Sequence, residues 1–100
     1  MKRSVNHYVL SQDADGDIDE IFDYTKAKYG IKQVVSYVTD FESFFGQLIK
    51  TPNIGKKRNE IKKGLYSLPK GEHTIFYRIV ANQIRIIRVL HSSRDLPKYF

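Results

Sequence analysis

The sequence contains no cysteine and only three prolines in 100 residues. Without cysteine there is no disulfide and no thiolate-bound metal, and nothing favours a secreted, cross-linked scaffold. No apolar run approaches the ~20 residues of a membrane-spanning helix. The basic residues 1–4 precede a polar, strand-like segment and not the apolar core of a signal peptide. We therefore expect a cytoplasmic protein without a membrane partner, forming one domain over residues 1–100.

Acidic residues are scarce in the second half of the chain. The net charge is +6, from 17 Lys and Arg against 11 Asp and Glu, and from residue 50 onward only Glu60, Glu72 and Asp95 are acidic. The same half carries Lys50, Lys56, Lys57, Arg58, Lys62, Lys63, Lys70, Arg78, Arg85, Arg88, Arg94 and Lys98. This field favours an anionic partner, either a nucleic acid, a nucleoprotein or an acidic protein segment, over an ordinary solvated basic surface.

Most of the acid lies in one short stretch, residues 13–23. Ser11 is a suitable helix N-cap, and carboxylates in the first turns favour a helix electrostatically. Apolar residues at three- and four-residue spacing predict a helix over residues 12–29, which Gly30 ends. A calcium loop is excluded because Gly16 and Tyr24 stand at positions where that motif needs other residues.

A second helix follows almost at once and ends at Lys50 and Thr51-Pro52, because a broad apolar stripe runs from Val34 to Ile49. A polar, basic loop over residues 51–60 leads to three predicted strands, at residues 61–68, 74–80 and 83–90. Ala81-Asn82 joins the last two in a hairpin. With a first strand at residues 5–10, the order predicts an α+β fold: a strand, an antiparallel helical hairpin, then a three-stranded antiparallel meander, with the helices on one face of the sheet.

The last two strands are apolar on both faces, so both faces need cover. The helical hairpin covers one. The chain supplies no cover for the other unless its own tail folds back, and this suggests a partner.

Few residues suggest catalysis. His7, His73 and His91 are too far apart in sequence for a zinc motif, so we predict no metal and no cofactor. His91 is a candidate general acid or base beside the arginines, although a structural histidine at the end of a strand is the more frequent case. Nucleic-acid contacts also remain open, through phosphate-binding arginines and stacking tyrosines: Arg78, Arg85, Arg88, Arg94, Tyr66, Tyr77 and Tyr99.

The run from Gly64 to Arg78 (GLYSLPKGEHTIFYR), the strand Ile86 to His91 (IIRVLH) and Arg94-Asp95-Leu96 resemble the ParE toxins of bacterial type II toxin–antitoxin modules. Tyr8 to Ser11, Tyr29-Gly30 and Pro52 to Gly55 fit the same family. The resemblance implies a toxin that a ParD-like antitoxin neutralises with an extended C-terminal segment. It also implies DNA gyrase as the target, with operator DNA reached only through the antitoxin.

The runner-up is the related RelE-like branch, which comprises ribosome-dependent, metal-independent endoribonucleases. That resemblance implies catalytic roles for Lys62, Lys63, Arg94 and Tyr99. Arg78 could replace a missing arginine, and His91 is the candidate general acid or base. The branch has an arginine near the end of its second strand, where this chain has Leu68-Pro69. Because losing one such cation costs about 3 kcal/mol of transition-state stabilisation, gyrase inhibition is favoured over an enzymatic activity.

A third alternative is a non-toxic module that only binds antitoxin. For the favoured hypothesis, gyrase inhibition, the predicted target-binding residues are Arg58, Arg88, Arg94, Tyr99 and Phe100. No antitoxin-binding residues are assigned. Arg94 and the tail through Phe100 are expected to matter more for toxicity than for folding.

Overall fold

The computed structural model describes residues 5–92 and 99–100. These residues form two helices and five strands, in the order β1 (His7–Leu10), α1 (Gln12–Tyr29), α2 (Ile31–Lys50), β2 (Lys56–Lys57), β3 (Tyr66–Lys70), β4 (His73–Val80) and β5 (Gln83–His91). The strands make one sheet in the order β1-β5-β4-β3-β2. β1 runs parallel to β5, and the other neighbours are antiparallel. The predicted α+β fold is confirmed, with the short β2 added at the edge.

Helix α1 begins and ends where the local signals predict. The Ser11 hydroxyl accepts a hydrogen bond from the Ala14 N–H at 3.0 Å and donates one to the Ile87 carbonyl at 2.7 Å. It therefore caps the helix and ties its first turn to β5. At the other end Gly30 has φ 91°, a conformation that glycine adopts without steric cost. This one residue joins α1 to α2, so the helices form a tight antiparallel hairpin.

The main core lies between the helices and the sheet. Phe41, Phe45 and Leu48 of α2 are buried against Tyr77 and other residues of the sheet. The Tyr77 hydroxyl donates to the Pro52 carbonyl at 2.8 Å and accepts from the Gly55 N–H at 2.9 Å. These two hydrogen bonds hold the segment that follows α2 against the sheet. A Cβ on Gly55 would lie 2.6 Å from the Tyr77 oxygen, so only glycine fits there.

The first strand predicted after the helices begins later than expected. The sequence predicts a strand over residues 61–68, but β3 begins only at Tyr66. Residues before it form a turn in which Gly64 has φ 81°, which breaks extended structure. The apolar side chain of Ile61 packs against the second cluster and does not belong to a strand.

In the β4–β5 hairpin the residue with positive φ is Ala81, at 54°, and not Asn82.

The second face of the sheet has more cover than the sequence predicted. Leu65, Phe76 and Leu90 form a second buried cluster. Ile61, Ile87, Tyr99 and Phe100 pack against it. Tyr99 and Phe100 thus fold back onto the sheet, which is the one case in which the sequence analysis expected the chain to cover this face itself.

No helix in the described part of the chain is long and apolar enough to cross a membrane.

Candidate functional site

The candidate site lies on the face of the sheet that is turned away from the helices, here called the outer face. Side chains alternate along β4, so Ile75 and Tyr77 enter the main core while Phe76 enters the second cluster on the outer face. Arg78 follows on the outer face. The second cluster covers one end of this face, and Arg78 and Arg85 lie towards the other.

Arg88 is held by an ion pair with α1. Its Nε donates to Asp17 Oδ2 at 2.8 Å and its Nη2 donates to Oδ1 at 2.7 Å. Asp17 Oδ2 also accepts the Val89 N–H at 2.9 Å. The carboxylate raises the pKa of Arg88, chiefly by hydrogen bonding to the guanidinium. Arg88 therefore has a structural partner and joins α1 to the end of β5.

Sequence reasoning missed Asp17 because it assigned the whole acidic stretch to the start of the helix. A signal was present. Asp17 stands three residues after Ala14 and four before Ile21, so it falls on the apolar stripe of α1 and not on the solvent side. A carboxylate on a buried face requires a cation, and β5 supplies it.

The C-terminal aromatics contact both features. The ring of Tyr99 lies 5.3 Å from the Arg88 guanidinium carbon, a cation–π contact. The ring of Phe100 packs 4.9 Å from that of Phe76. Of the predicted target-binding residues, Arg88, Tyr99 and Phe100 are thus brought together, each half-buried. Arg94 lies outside the described residues.

Arg58 has partners of its own. Its Nε donates to Glu60 at 2.7 Å and its Nη1 donates to Ser67 Oγ at 3.2 Å. Because Ser67 is buried, Arg58 anchors the loop between β2 and β3 to the sheet. Lys62 and Lys63, at the turn of that loop, are exposed.

His91 lies at the end of β5, opposite His73. The two rings are 5.5 Å apart, and His91 Nε2 lies 3.9 Å from a carboxylate oxygen of Glu72. Burial, and then the neighbouring His91, lowers the pKa of His73. Both histidines line an open groove with Arg88 and Tyr99.

The residues that the nuclease alternative requires are spread over several elements. Lys62 and Lys63 lie in the β2–β3 loop, Arg78 lies in β4 and His91 ends β5. Leu68 and Pro69 lie within β3, so no guanidinium occupies that strand end. Pro69 pairs with Thr74 of β4, beyond the two residues at which β2 pairs with β3, where a missing N–H leaves no bond unmade.

Comparison with solved structures supports the observed fold. The fold matches a solved structure described as the chromosomal ParDE TA system from P. aeruginosa, with a TM-score of 0.69 at 21% identity, covering 89% of this chain and 95% of that chain. The two chains therefore share a fold.

The sequence comparisons identify the family. Residues 8–96 match the model of the ParE toxin of type II toxin–antitoxin systems, parDE. The chain is 32% identical over 94 residues to Toxin ParE1 of Mycobacterium tuberculosis, covering 93% of this chain and 96% of that toxin. It is 31% identical over 88 residues to Toxin ParE1 of Caulobacter vibrioides, covering 88% and 91%. The chain belongs to the ParE toxin family.

Proposed function

We propose that this ParE-family toxin blocks replication by poisoning DNA gyrase and is neutralised by a ParD-like antitoxin. The observation that carries the proposal is the family match across residues 8–96, which includes nearly every element of the fold. The matched structure is described as a ParDE system, which supports an antitoxin as the partner of this chain.

The chemistry of the described residues supports inhibition over RNA cleavage. A metal-independent nuclease needs cations around the developing phosphorane charge and a general acid and base close by. Here the candidate residues stand on separate elements, since Lys62 and Lys63 lie in the β2–β3 loop and His91 ends β5. Leu68-Pro69 occupies the strand end where the related nucleases have an arginine, which removes one source of that stabilisation.

We propose that gyrase is contacted by Arg58, Arg88, Arg94, Tyr99 and Phe100. Tyr99 and Phe100 lie on the outer face next to Arg88, and both keep part of their surface in solvent. Partly exposed aromatics beside an arginine are the residue types that concentrate binding energy in protein interfaces. The ion pair with Asp17 holds Arg88 in place before the target arrives.

The test uses purified gyrase, relaxed plasmid and the full-length toxin. The proposal predicts loss of supercoiling and accumulation of cleaved plasmid, both reversed by the cognate antitoxin. Arg94→Gln is expected to raise the toxin concentration needed by about tenfold or more, equivalent to 1.4 kcal/mol or more. Lys26→Gln, which removes the same charge from an exposed site on α1, is the matched control and should act like the wild type.

Two results would redirect the assignment. Unimpaired gyrase together with messages cut at translating ribosomes would favour the nuclease alternative, for which exposed Lys62 and Lys63 and the outer-face Arg78 are the supporting residues. Expression without antitoxin that leaves growth unaffected would favour a module that only binds antitoxin.

A further inference from the structure

Two arginines stand directly opposite each other on the outer face. Arg78 of β4 pairs with Arg85 of β5 in the antiparallel ladder. Side chains at such positions have Cβ atoms about 4.5–5.5 Å apart, and like charges placed there destabilise a sheet. The position is therefore electrostatically costly for the free protein.

Nothing in the described part of the chain neutralises this pair. No carboxylate among residues 5–92 and 99–100 forms an ion pair with Arg78 or Arg85. Arg85 is exposed. Arg78 lies against the backbone of Gly64, where an added Cβ would be 3.6 Å from its Nε and Nη2. Arg88, three residues from Arg85, has Asp17 as its partner, so the absence at Arg78 and Arg85 is specific to this pair.

More uncompensated charge adjoins the pair. Gly64 directly follows Lys62 and Lys63, so the contact with Gly64 places Arg78 next to the turn that carries these exposed lysines. The one carboxylate in that loop, on Glu60, is bonded to Arg58. The cations thus continue from the two strands onto the neighbouring turn.

We propose that this surface, formed by Arg78, Arg85, Lys62 and Lys63, binds the phosphodiester backbone of a nucleic acid. A guanidinium donates two parallel hydrogen bonds to a phosphate, and two adjacent guanidiniums fit consecutive phosphates. A polyanion with charge at every nucleotide matches cations spread over two strands and a turn. The contact is sequence-independent, because it involves phosphates and no base edges. It does not depend on the gyrase proposal.

The first experiment measures fluorescence anisotropy of labelled nucleic acid titrated with full-length, antitoxin-free toxin, over a range of salt concentrations. The probes are duplex DNA, single-stranded DNA and single-stranded RNA of equal length, and they identify the form that the surface prefers. We expect binding in the micromolar range near physiological salt, as is usual for backbone contacts. Arg78→Gln/Arg85→Gln should weaken the preferred probe by about tenfold or more and reduce the slope of log K against log salt by about 2 for duplex DNA.

The matched control removes the same charge elsewhere. Lys26→Gln/Lys32→Gln neutralises two exposed lysines near the turn of the helical hairpin and leaves the same net charge as the arginine variant. It should change affinity by less than about twofold, because distant exposed charges are screened. Equal losses in the two double variants would overturn the proposal, as would a wild-type toxin that binds none of the three probes.

Stability provides a second readout. Relief of like-charge repulsion should leave the melting temperature of Arg85→Gln unchanged or raised, whereas loss of a structural contact would lower it. Unfolding of the double variant would not end the test, because Arg85→Gln alone should still weaken binding several-fold. If Arg85→Gln instead weakens only antitoxin binding and leaves every nucleic-acid probe unaffected, the surface belongs to a protein partner and the proposal is wrong.

Discussion

At the scale of single residues, Asp17 and Arg88 connect the acidic start of α1 with the basic half of the chain. Their side chains are 11% and 18% exposed, so the pair is largely removed from water. Breaking such a pair by removing one partner leaves the other charge, and here also the Val89 N–H, without its hydrogen bonds. The pair therefore contributes to the fold whatever role Arg88 has towards a target.

Asp17→Ala is expected to lower the free energy of unfolding by about 2 kcal/mol, because hydrogen bonds to charged groups are lost in a partly buried site. Urea denaturation measures the change. Asp15→Ala, an exposed carboxylate in the same helix start, is the control and should cost about 0.5 kcal/mol through the helix dipole alone. Equal losses in the two variants would mean that Arg88 gains nothing specific from Asp17.

Tyr77 is a second residue whose polar atom determines its role. Its ring is fully buried, and burial raises the pKa of its hydroxyl. The hydroxyl bonds two backbone groups of the segment after α2. Tyr77→Phe should lower the free energy of unfolding by about 1–2 kcal/mol, since both backbone groups lose a partner. Tyr66→Phe, which removes only an exposed bond to Asn53, should change it by less than about 0.5 kcal/mol.

At the scale of elements, the β4–β5 hairpin contains a backbone strain that one substitution relieves. Ala81 adopts φ 54°, which costs a residue with a Cβ about 1–2 kcal/mol. Ala81→Gly should therefore stabilise the protein by about 0.5 kcal/mol, after the entropy lost by glycine is subtracted. Asn82→Gly should not, because Asn82 does not have a positive φ. A thermal melt in which Asn82→Gly is the stabilising variant would contradict this account of the turn.

At the end of the β4–β5 hairpin away from its turn, His73 is expected to make the free energy of unfolding depend on pH. His73 faces His91, Glu72 and Lys70, and burial lowers its pKa below the ordinary 6.5. The unfolded chain therefore takes up a proton near pH 6.5 that the folded chain resists until lower pH. The contribution of His73 is complete above pH 6.5 and is lost as pH falls through 6.5 towards the folded pKa.

His73→Gln should accordingly reduce the loss of stability between pH 7.5 and pH 5.5, measured by urea midpoints at each pH. His7→Gln, at an exposed histidine of β1, is the control. A pH profile that His73→Gln leaves unchanged would show that other groups control the acid sensitivity of the fold.

Local signals explain which elements were predictable. Helix α1 has the predicted bounds because Ser11 caps its start and Gly30 follows its last residue, and both signals are local in the sequence. The start of β3 was misplaced because an isoleucine at residue 61 is equally apolar in a strand and beneath a turn. The Asp17–Arg88 pair joins residues 71 positions apart, and only the packing of α1 beside the end of β5 brings them together. The fold back of Tyr99 and Phe100 has the same origin.

At the scale of the whole molecule, the two faces of the sheet have different roles. The helical hairpin seals one face into the main core, and that face explains stability. The outer face is sealed at one end by the second cluster and left open and basic at the other, around Arg78 and Arg85. We expect the interactions of this ParE-family toxin to concentrate on the outer face.

The most direct test of the central claim follows both candidate targets in one culture. The toxin is induced without its antitoxin, and plasmid topology and message integrity are sampled over the first minutes. Gyrase poisoning predicts relaxed and broken plasmid while ribosome-bound messages remain intact, and co-induced antitoxin should prevent the change. Messages cut at ribosomes in cells whose plasmid stays fully supercoiled would contradict it.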